Sequence, residues 1–362
     1  MKKTLGIAIA VSFLLVVLVC SALGQQTLQW KSPTCWTPVM SLIEADKNFA
    51  KLVGEMSGGR LQIKIFSAGE LVPVPGIFDA ISSGNLESAC DWPGYWGGRN
   101  TAFELLGTCP LGLDQYDYVN WYYHYGGKEL YNAVYGKYNM IYFLHSVSPM
   151  ESGVRSRVPI RSLAEYKGKK TRVSGKAAGY VMSKVGLAPV SMSGGEIYQA
   201  LQLGTLDAAE FSIPAVDFAM GLQEVTKFNA TPGWHQPASA FGFMINKGAW
   251  NKLPDDLKKA IELACLANNA YMNSWYEVKN IDAINNFKKA GVQVNRISEK
   301  EIDSIEKFAW EFVEKESKAN PDFQKVALSM FQYMKDFIVV REYQDPFKHG
   351  RIPKTLPNIG LK

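Results

Sequence analysis

The chain has 362 residues, 47% of them hydrophobic, with a formal net charge of +5. That composition supplies an ample core and excludes an intrinsically disordered chain. The charge is too weak and too evenly spread to point to nucleic acid, so no nucleic-acid partner is expected.

The first predicted element is "MKKTLGIAIAVSFLLVVLVCSALG", residues 1–24: two lysines, an apolar run, and small residues ending in Ala22-Leu23-Gly24. This is the three-part pattern of a signal peptide cleaved near Gly24, and it places the mature chain outside the cytoplasm. An uncleaved anchor is the alternative, although the run is short for a bilayer crossing. Lipidation at Cys20 is a second alternative, disfavoured by the bulky Val19 before it. Cleavage leaves 338 residues and, with Lys2 and Lys3 gone, a charge of +3. That length suits two domains or lobes.

Next, "TLQWKSP" alternates and stops at Ser-Pro, which predicts a strand, and "SLIEADKNFAKLVGEMSGGR" has helical spacing ending on Gly58-Gly59. "LQIKIFSAGEL" returns to alternation, with Leu61, Ile63 and Ile65 on one face, and "PGIFDAISSGNLES" reads as a helix. The rhythm resumes in "KKTRVSGKAAGYVMSKVG", which is strand, glycine turn, helix; "EIYQALQLGTLDAAEFS" is a helix leading into a short strand. A strand beginning "AFGFMIN" precedes long amphipathic helices, "VQVNRIS" is one more strand, and the chain closes in charged helices. This β-α alternation predicts an α/β fold with helices over a mostly parallel sheet.

Local signatures of catalysis are missing: the sequence has no G-x-G-x-x-G, P-loop, H-E-x-x-H or G-x-S-x-G pattern. Cys35, Cys90, Cys109 and Cys265 form no C-x-x-C pair, and buried free thiols are expected over disulfides. Three features stand out. Arg172 ends a short strand before a Ser-Gly turn, where its planar fork could grip a carboxylate at the strand end favoured for ligands; a solvated edge or an ion pair is the alternative. Trp36, Trp92, Tyr95, Trp96, Phe211 and Trp234 lie within three residues of Gly or Pro in loops, as walls of a small-ligand pocket would. Glu151, Glu210 and Gln236 are polar candidates that could orient the arginine, hold a cation, or act as acid and base in a hydrolase together with His235. In "PGWHQP", an extended backbone would point Trp234 and Gln236 into the pocket and His235 away from it.

With these stretches in view, the chain resembles the periplasmic solute-binding subunits of tripartite ATP-independent periplasmic (TRAP) transporters, in the branch that binds 2-oxo acids and lactate. The resemblance runs over about residues 30 to 335 through "EMSGGRLQIKIFSAGELVPVPGIFDAISSGNLE", "YWGG", "LGTCPLGL", "YGGKELYN", "IRSLAEYKGKKTRVSGKAAGYVMSKVGLAPVSMSGGEIYQALQLGTLDAAEF", "PGWHQPAS" and "INKGAWNKLPDDL". It implies a two-lobed α/β binding protein, each lobe a mixed sheet flanked by helices, joined by hinge strands and a long helix. Lobe 1 would span 25–147 plus 238–282, lobe 2 would span 148–237 plus 283–340 with the C-terminal helices, and 341–362 would be a tail. Closure over a small organic anion and delivery to membrane permease subunits are implied, with no catalysis. A ligand-sensing receptor is the alternative role. Arg172 matches the family's carboxylate-binding arginine, and Trp36, Tyr95, Phe211 and Trp234 match pocket positions, although tryptophan is usual at position 211. The branch commonly reads W-H-E-P where this chain has Trp234-His235-Gln236-Pro237, and Q-M-G-G where it has Met150-Glu151-Ser152-Gly153. The Glu and Gln replaced here help hold a metal cation in relatives, so Na+ or Ca2+ would fall to Glu210, Gln236 and Glu151. Phe308, Trp310 and Phe312 resemble a segment through which some relatives form homodimers; packing on their own lobe is the alternative.

Overall fold

The computed structural model describes residues 27–345. The expected leader, its cleavage site and Cys20 lie outside the described residues, as does the chain beyond 345.

Eleven strands are described: β1 (Leu28–Pro33), β2 (Leu61–Phe66), β3 (Ser88–Asp91), β4 (Met140–Ser148), β5 (Val154–Ser156), β6 (Lys170–Arg172), β7 (Ala188–Val190), β8 (Ala208–Ala209), β9 (Phe228–Thr231), β10 (Ser239–Asn246) and β11 (Gln293–Arg296). They form a parallel pair β1-β2, a sheet β3-β10-β4, and a sheet β11-β9-β5-β8-β6-β7. The mostly parallel sheet expected from the β-α rhythm holds for the six-stranded sheet, where β5 alone is reversed, and fails for β3-β10-β4. β10 runs antiparallel to both β3 and β4, and β5 runs antiparallel to β8 and β9. The three-stranded sheet is thus wholly antiparallel, with the late strand β10 at its centre.

The helices follow their apolar spacing. α1 (Ile43–Met56) buries Ile43, Phe49, Ala50 and Val53 and stops where Gly58 and Gly59 take positive φ of 60° and 79°, the left-handed backbone glycine adopts without cost. α2 (Ala102–Gly107) packs on β10, and α3 (Lys176–Lys184) follows β6. α4 (Asp255–Lys289) is 35 residues long and packs on α1 and β4 near one end and on the helix Pro214–Ala219 beyond the other sheet at the other end. Its asparagines fix this path. Asn268 donates to His145 O at 2.9 Å, Asn273 accepts from Val147 N at 3.0 Å, and Asn280 accepts from Ala215 N at 3.0 Å.

The last two helices divide between the sheets. α5 (Glu299–Ala319) packs on α3, whereas α6 (Pro321–Gln344) packs on α2 and the helix Gly127–Gly136. Asn320 makes the crossing: its Oδ1 accepts from Asp322 N at 2.9 Å and its Nδ2 donates to Asn100 Oδ1 at 2.7 Å. The aromatics of α5 are used inside the chain, Phe312 against Tyr180 and Phe323, and Trp310 against Phe331. Cys35, Cys90, Cys109 and Cys265 are free and buried, as expected. No helix among the described residues is long and apolar enough to cross a membrane.

Candidate functional site

One edge of the six-stranded sheet builds the polar half of the site. β6 and β8 are parallel, with Arg172 opposite Ala209, so Arg172 and Glu210 emerge together at carboxyl ends, where open α/β sheets bind ligands. β5 runs the opposite way, so Glu151, just before its start, arrives at the same edge. The "PGWHQP" loop leaves β9 there too and is tied back by Glu151 N donating to Gln236 O at 3.1 Å. The apolar half comes from the other sheets: Trp36 after β1, Trp92 and Tyr95 after β3, and Phe241 on β10. A bulge interrupts the β10–β4 register between Phe241 and Gly242, a device that re-aims a side chain.

These groups enclose a cavity lined by Trp36, Trp92, Tyr95, Arg172, Phe211 and Phe241, with Glu151, Ser174, Ser212 and Gln236 among its polar atoms. Counted with its open mouth the space is about 270 Å3, but only about 20 Å3 of it can hold the centre of a water molecule, roughly one water's worth, so the walls stand close together. Trp36 meets Phe241 edge-on at 5.6 Å and lies 6.0 Å from Tyr95.

Arg172 is 1% exposed. Its Nη1 donates to Glu210 O at 2.7 Å and Glu210 Oε1 at 3.0 Å, its Nε donates to Met192 O at 3.3 Å, and the guanidinium sits 5.3 Å from the Phe211 ring centre. Its Nη2 has no acceptor among the described residues, so one arm of the fork remains for an anion. Glu210 Oε1 also accepts from Ser174 N at 2.5 Å, while its buried Oε2 accepts no hydrogen bond. Glu151 faces His235, with Oε2 3.1 Å from Nε2, and Ser239 Oγ donates to Gln236 Oε1 at 2.6 Å.

Burial dominates the electrostatics. It pushes the Glu151 carboxyl well above the usual range, helped by the nearby Glu210 and Asp217 charges and only partly opposed by Arg172. Burial also raises Glu210, against the pull of Arg172 and the Ser174 N–H. Burial and the Arg172 charge hold His235 down to about 3, so its imidazole is neutral. Two carboxyls and one guanidinium thus share a dry space, and a bound carboxylate would leave an excess of negative charge unless a proton or cation accompanied it.

The residues fit a hard cation. Glu151, Glu210 and His235 bring one ligand atom each within 4.8 Å of one another. Glu210 Oε2 lacks a partner, and Gln236 Oε1 adds a third oxygen, the donor type that calcium and sodium take. A second grouping, Asp46, Cys90 and His145, is enclosed in the core: Asp46 accepts from Thr34 at 2.5 Å and faces His145 at 3.2 Å.

Six of the eight expected site residues line the cavity, Arg172, Trp36, Tyr95, Glu151, Phe211 and Gln236, and Glu210 joins them through its bond to Arg172. Trp234 does not. Residues 234 and 235 form a turn, closed by Gln236 N donating to Gly233 O at 3.1 Å, so the extended backbone that would have aimed Trp234 at the ligand is absent. Trp234 is 1% exposed and packs with Val154, Ile160 and Val173, whereas His235, expected to point away, faces the carboxyl cluster. Leu42, Ser174, Ser212 and Phe241 also line the cavity without having been anticipated. Ser174 was legible as the turn residue after Arg172; Phe241 depends on a bulge that nothing local marks.

Comparison with known proteins bears on this geometry. A monocarboxylate 2-oxoacid-binding periplasmic protein of Nostoc sp. is 29% identical over 303 residues, 84% of this chain and 83% of that protein. A TRAP periplasmic solute-binding protein from Colwellia psychrerythraea, solved with bound calcium and pyruvate, is 31% identical with a TM-score of 0.82, covering 89% of this chain and 100% of that one. Another, from Pseudoalteromonas atlantica with bound sodium and pyruvate, is 27% identical with a TM-score of 0.82, covering 89% and 100%. The profile of the bacterial extracellular solute-binding proteins, family 7, matches residues 35–318, and the chain belongs to that family of two-lobed binding proteins.

Proposed function

We propose that this chain captures a small 2-oxo or 2-hydroxy monocarboxylate in the periplasm by lobe closure and hands it to membrane permease subunits of a TRAP transporter. The observation that carries the reading is the free Nη2 of a buried Arg172 inside a small aromatic cavity. The acid's carboxylate would take that arm, and its flat body would lie among Trp36, Tyr95 and Phe211. Glu210, Glu151 and Gln236 would hold calcium or sodium, which would supply the charge that lets an anion enter beside two carboxyls. The relatives solved with pyruvate and a cation support this assignment.

In this reading lobe 1 is 27–147 plus 238–282 and α6, and lobe 2 is 148–237 plus 283–319. α6 is grouped with lobe 1, because its buried face packs on α2. A homodimer would use a face other than Phe312, which is spent inside the chain. Catalysis finds little support: His235, the base a hydrolase would need, is held at about 3, far below a working pKa near neutrality.

A thermal-shift panel of 2-oxo and 2-hydroxy acids with added calcium tests the proposal, because a ligand specific to the folded state raises the melting temperature by mass action. Pyruvate or a close analogue should shift it; a panel without any shift would overturn the assignment.

A further inference from the structure

Glu104 lies outside the cavity wall yet is 3% exposed. It belongs to α2, beside β10, but its carboxylate reaches across to the half built on the six-stranded sheet. There its Oε2 accepts the backbone N–H groups of Lys176 at 2.8 Å and Ala177 at 3.3 Å, the first two residues of α3. α3 has no side-chain cap of its own, since its N-cap is Gly175. The carboxylate therefore takes the place of a local cap and sits at the positive end of the helix.

Two glycines shape this approach. A Cβ on Gly175, whose φ is +85°, would lie 2.7 Å from Glu104 Oε2, and a Cβ on Gly97 would lie 1.8 Å from Oε1. Neither distance leaves room for a side chain. The contact also closes within a few residues of Arg172 and Ser174, so it forms where the ligand is anchored.

We propose that Glu104 is the latch of lobe closure, a carboxylate of one lobe that caps α3 of the other when the cleft shuts and releases it when the cleft opens. The inference rests on the binding-protein reading above. A cap supplied by neighbouring sequence acts in both states and biases neither. A cap supplied across the cleft exists only in the shut state, so its whole contribution falls on the open–closed equilibrium. In the open state water satisfies both the helix amides and the carboxylate, and the fold of each lobe does not depend on the contact. Ligand residence time then follows the latch.

Stopped-flow kinetics with pyruvate on the full calcium-loaded chain test this, using Glu104→Ala, Glu104→Gln and Gly97→Ala. Glu104→Ala should speed dissociation roughly 3- to 30-fold, the range for losing a helix cap, with the association rate little changed and the ligand-free melting temperature within about 2 °C of the original. Glu104→Gln, which keeps the acceptor oxygen, should recover part of the residence time, and Gly97→Ala, which pushes the carboxylate aside, should mimic Glu104→Ala. Unchanged dissociation, or a fall in melting temperature without faster dissociation, would overturn the latch. If the unmodified chain bound no 2-oxo acid, the proposed cargo would fail, and the ligand-free shut population, read as the distance between a label on each lobe, would decide the latch separately. A smaller shut fraction in Glu104→Ala supports it, and an unchanged fraction refutes it.

Discussion

Replacing Arg172 with alanine probes the site most severely. The guanidinium is 1% exposed, holds Glu210 through Nη1, and keeps Nη2 for the ligand. Hydrogen bonds to a charged partner contribute about 1.5–3 kcal/mol each, and breaking a buried ion pair costs about 3–5 kcal/mol. The free protein bears part of that cost, because Glu210 loses its cation and takes up a proton. The acid should lose about 3–4 kcal/mol of binding, or roughly 10²- to 10³-fold in Kd. Isothermal titration with pyruvate in calcium buffer reads this directly, alongside the melting temperature of the free protein. Arg172→Lys keeps the charge without the fork and should fall in between. An alanine variant that still folds and binds pyruvate within about fivefold of the original would refute the assignment of Arg172 as the carboxylate anchor.

Other changes address the cation, the proton and the pocket shape. Gln236→Glu adds a third carboxylate and should tighten calcium binding by on the order of tenfold, measured by titration with a calcium indicator; unchanged calcium affinity would remove Gln236 from the ligand set. Glu151 and Glu210 are raised in the folded chain, so they favour folding below the ordinary carboxylate range and that advantage disappears as pH rises through their folded values. The melting temperature of chelator-treated protein should therefore fall as pH rises from 5 to 8, and calcium should flatten the slope; a slope indifferent to calcium would contradict a cation at these carboxyls. Phe211→Ala opens the cavity beside Arg172 and should shift preference from pyruvate to 2-oxo acids with longer side chains, read as the ratio of their Kd values. The four buried cysteines should react with a thiol reagent only after denaturation.

Much of this arrangement was legible because it is local. Arg172 stands between a strand and a Ser-Gly turn, and Glu210 ends a short strand after a helix, so both could be placed at strand ends from sequence alone. Glu151 and Gln236 stood out as the places where the chain departs from its relatives. What escaped was set at long range. The direction of β10 follows from its insertion between β3 and β4, which no window of "AFGFMIN" contains. Phe241 enters the cavity beside a bulge, and Trp234 leaves it because Gly233 and Gln236 close a turn where alternation suggested a strand. That one turn exchanged the roles expected of Trp234 and His235. Glu104 carried no signal at all, since its partners are amides more than 70 residues away.

The central claim is reversible, cation-assisted capture of a 2-oxo acid. Its most direct test is calorimetric titration of chelator-treated protein with pyruvate, before and after calcium is restored, followed by NMR of the recovered acid. The account predicts binding at one site per chain, micromolar or tighter with calcium (about 8 kcal/mol), distinctly weaker without it, and pyruvate returned unchanged. Equal heats with and without calcium, no heat in either case, or a converted acid would contradict it.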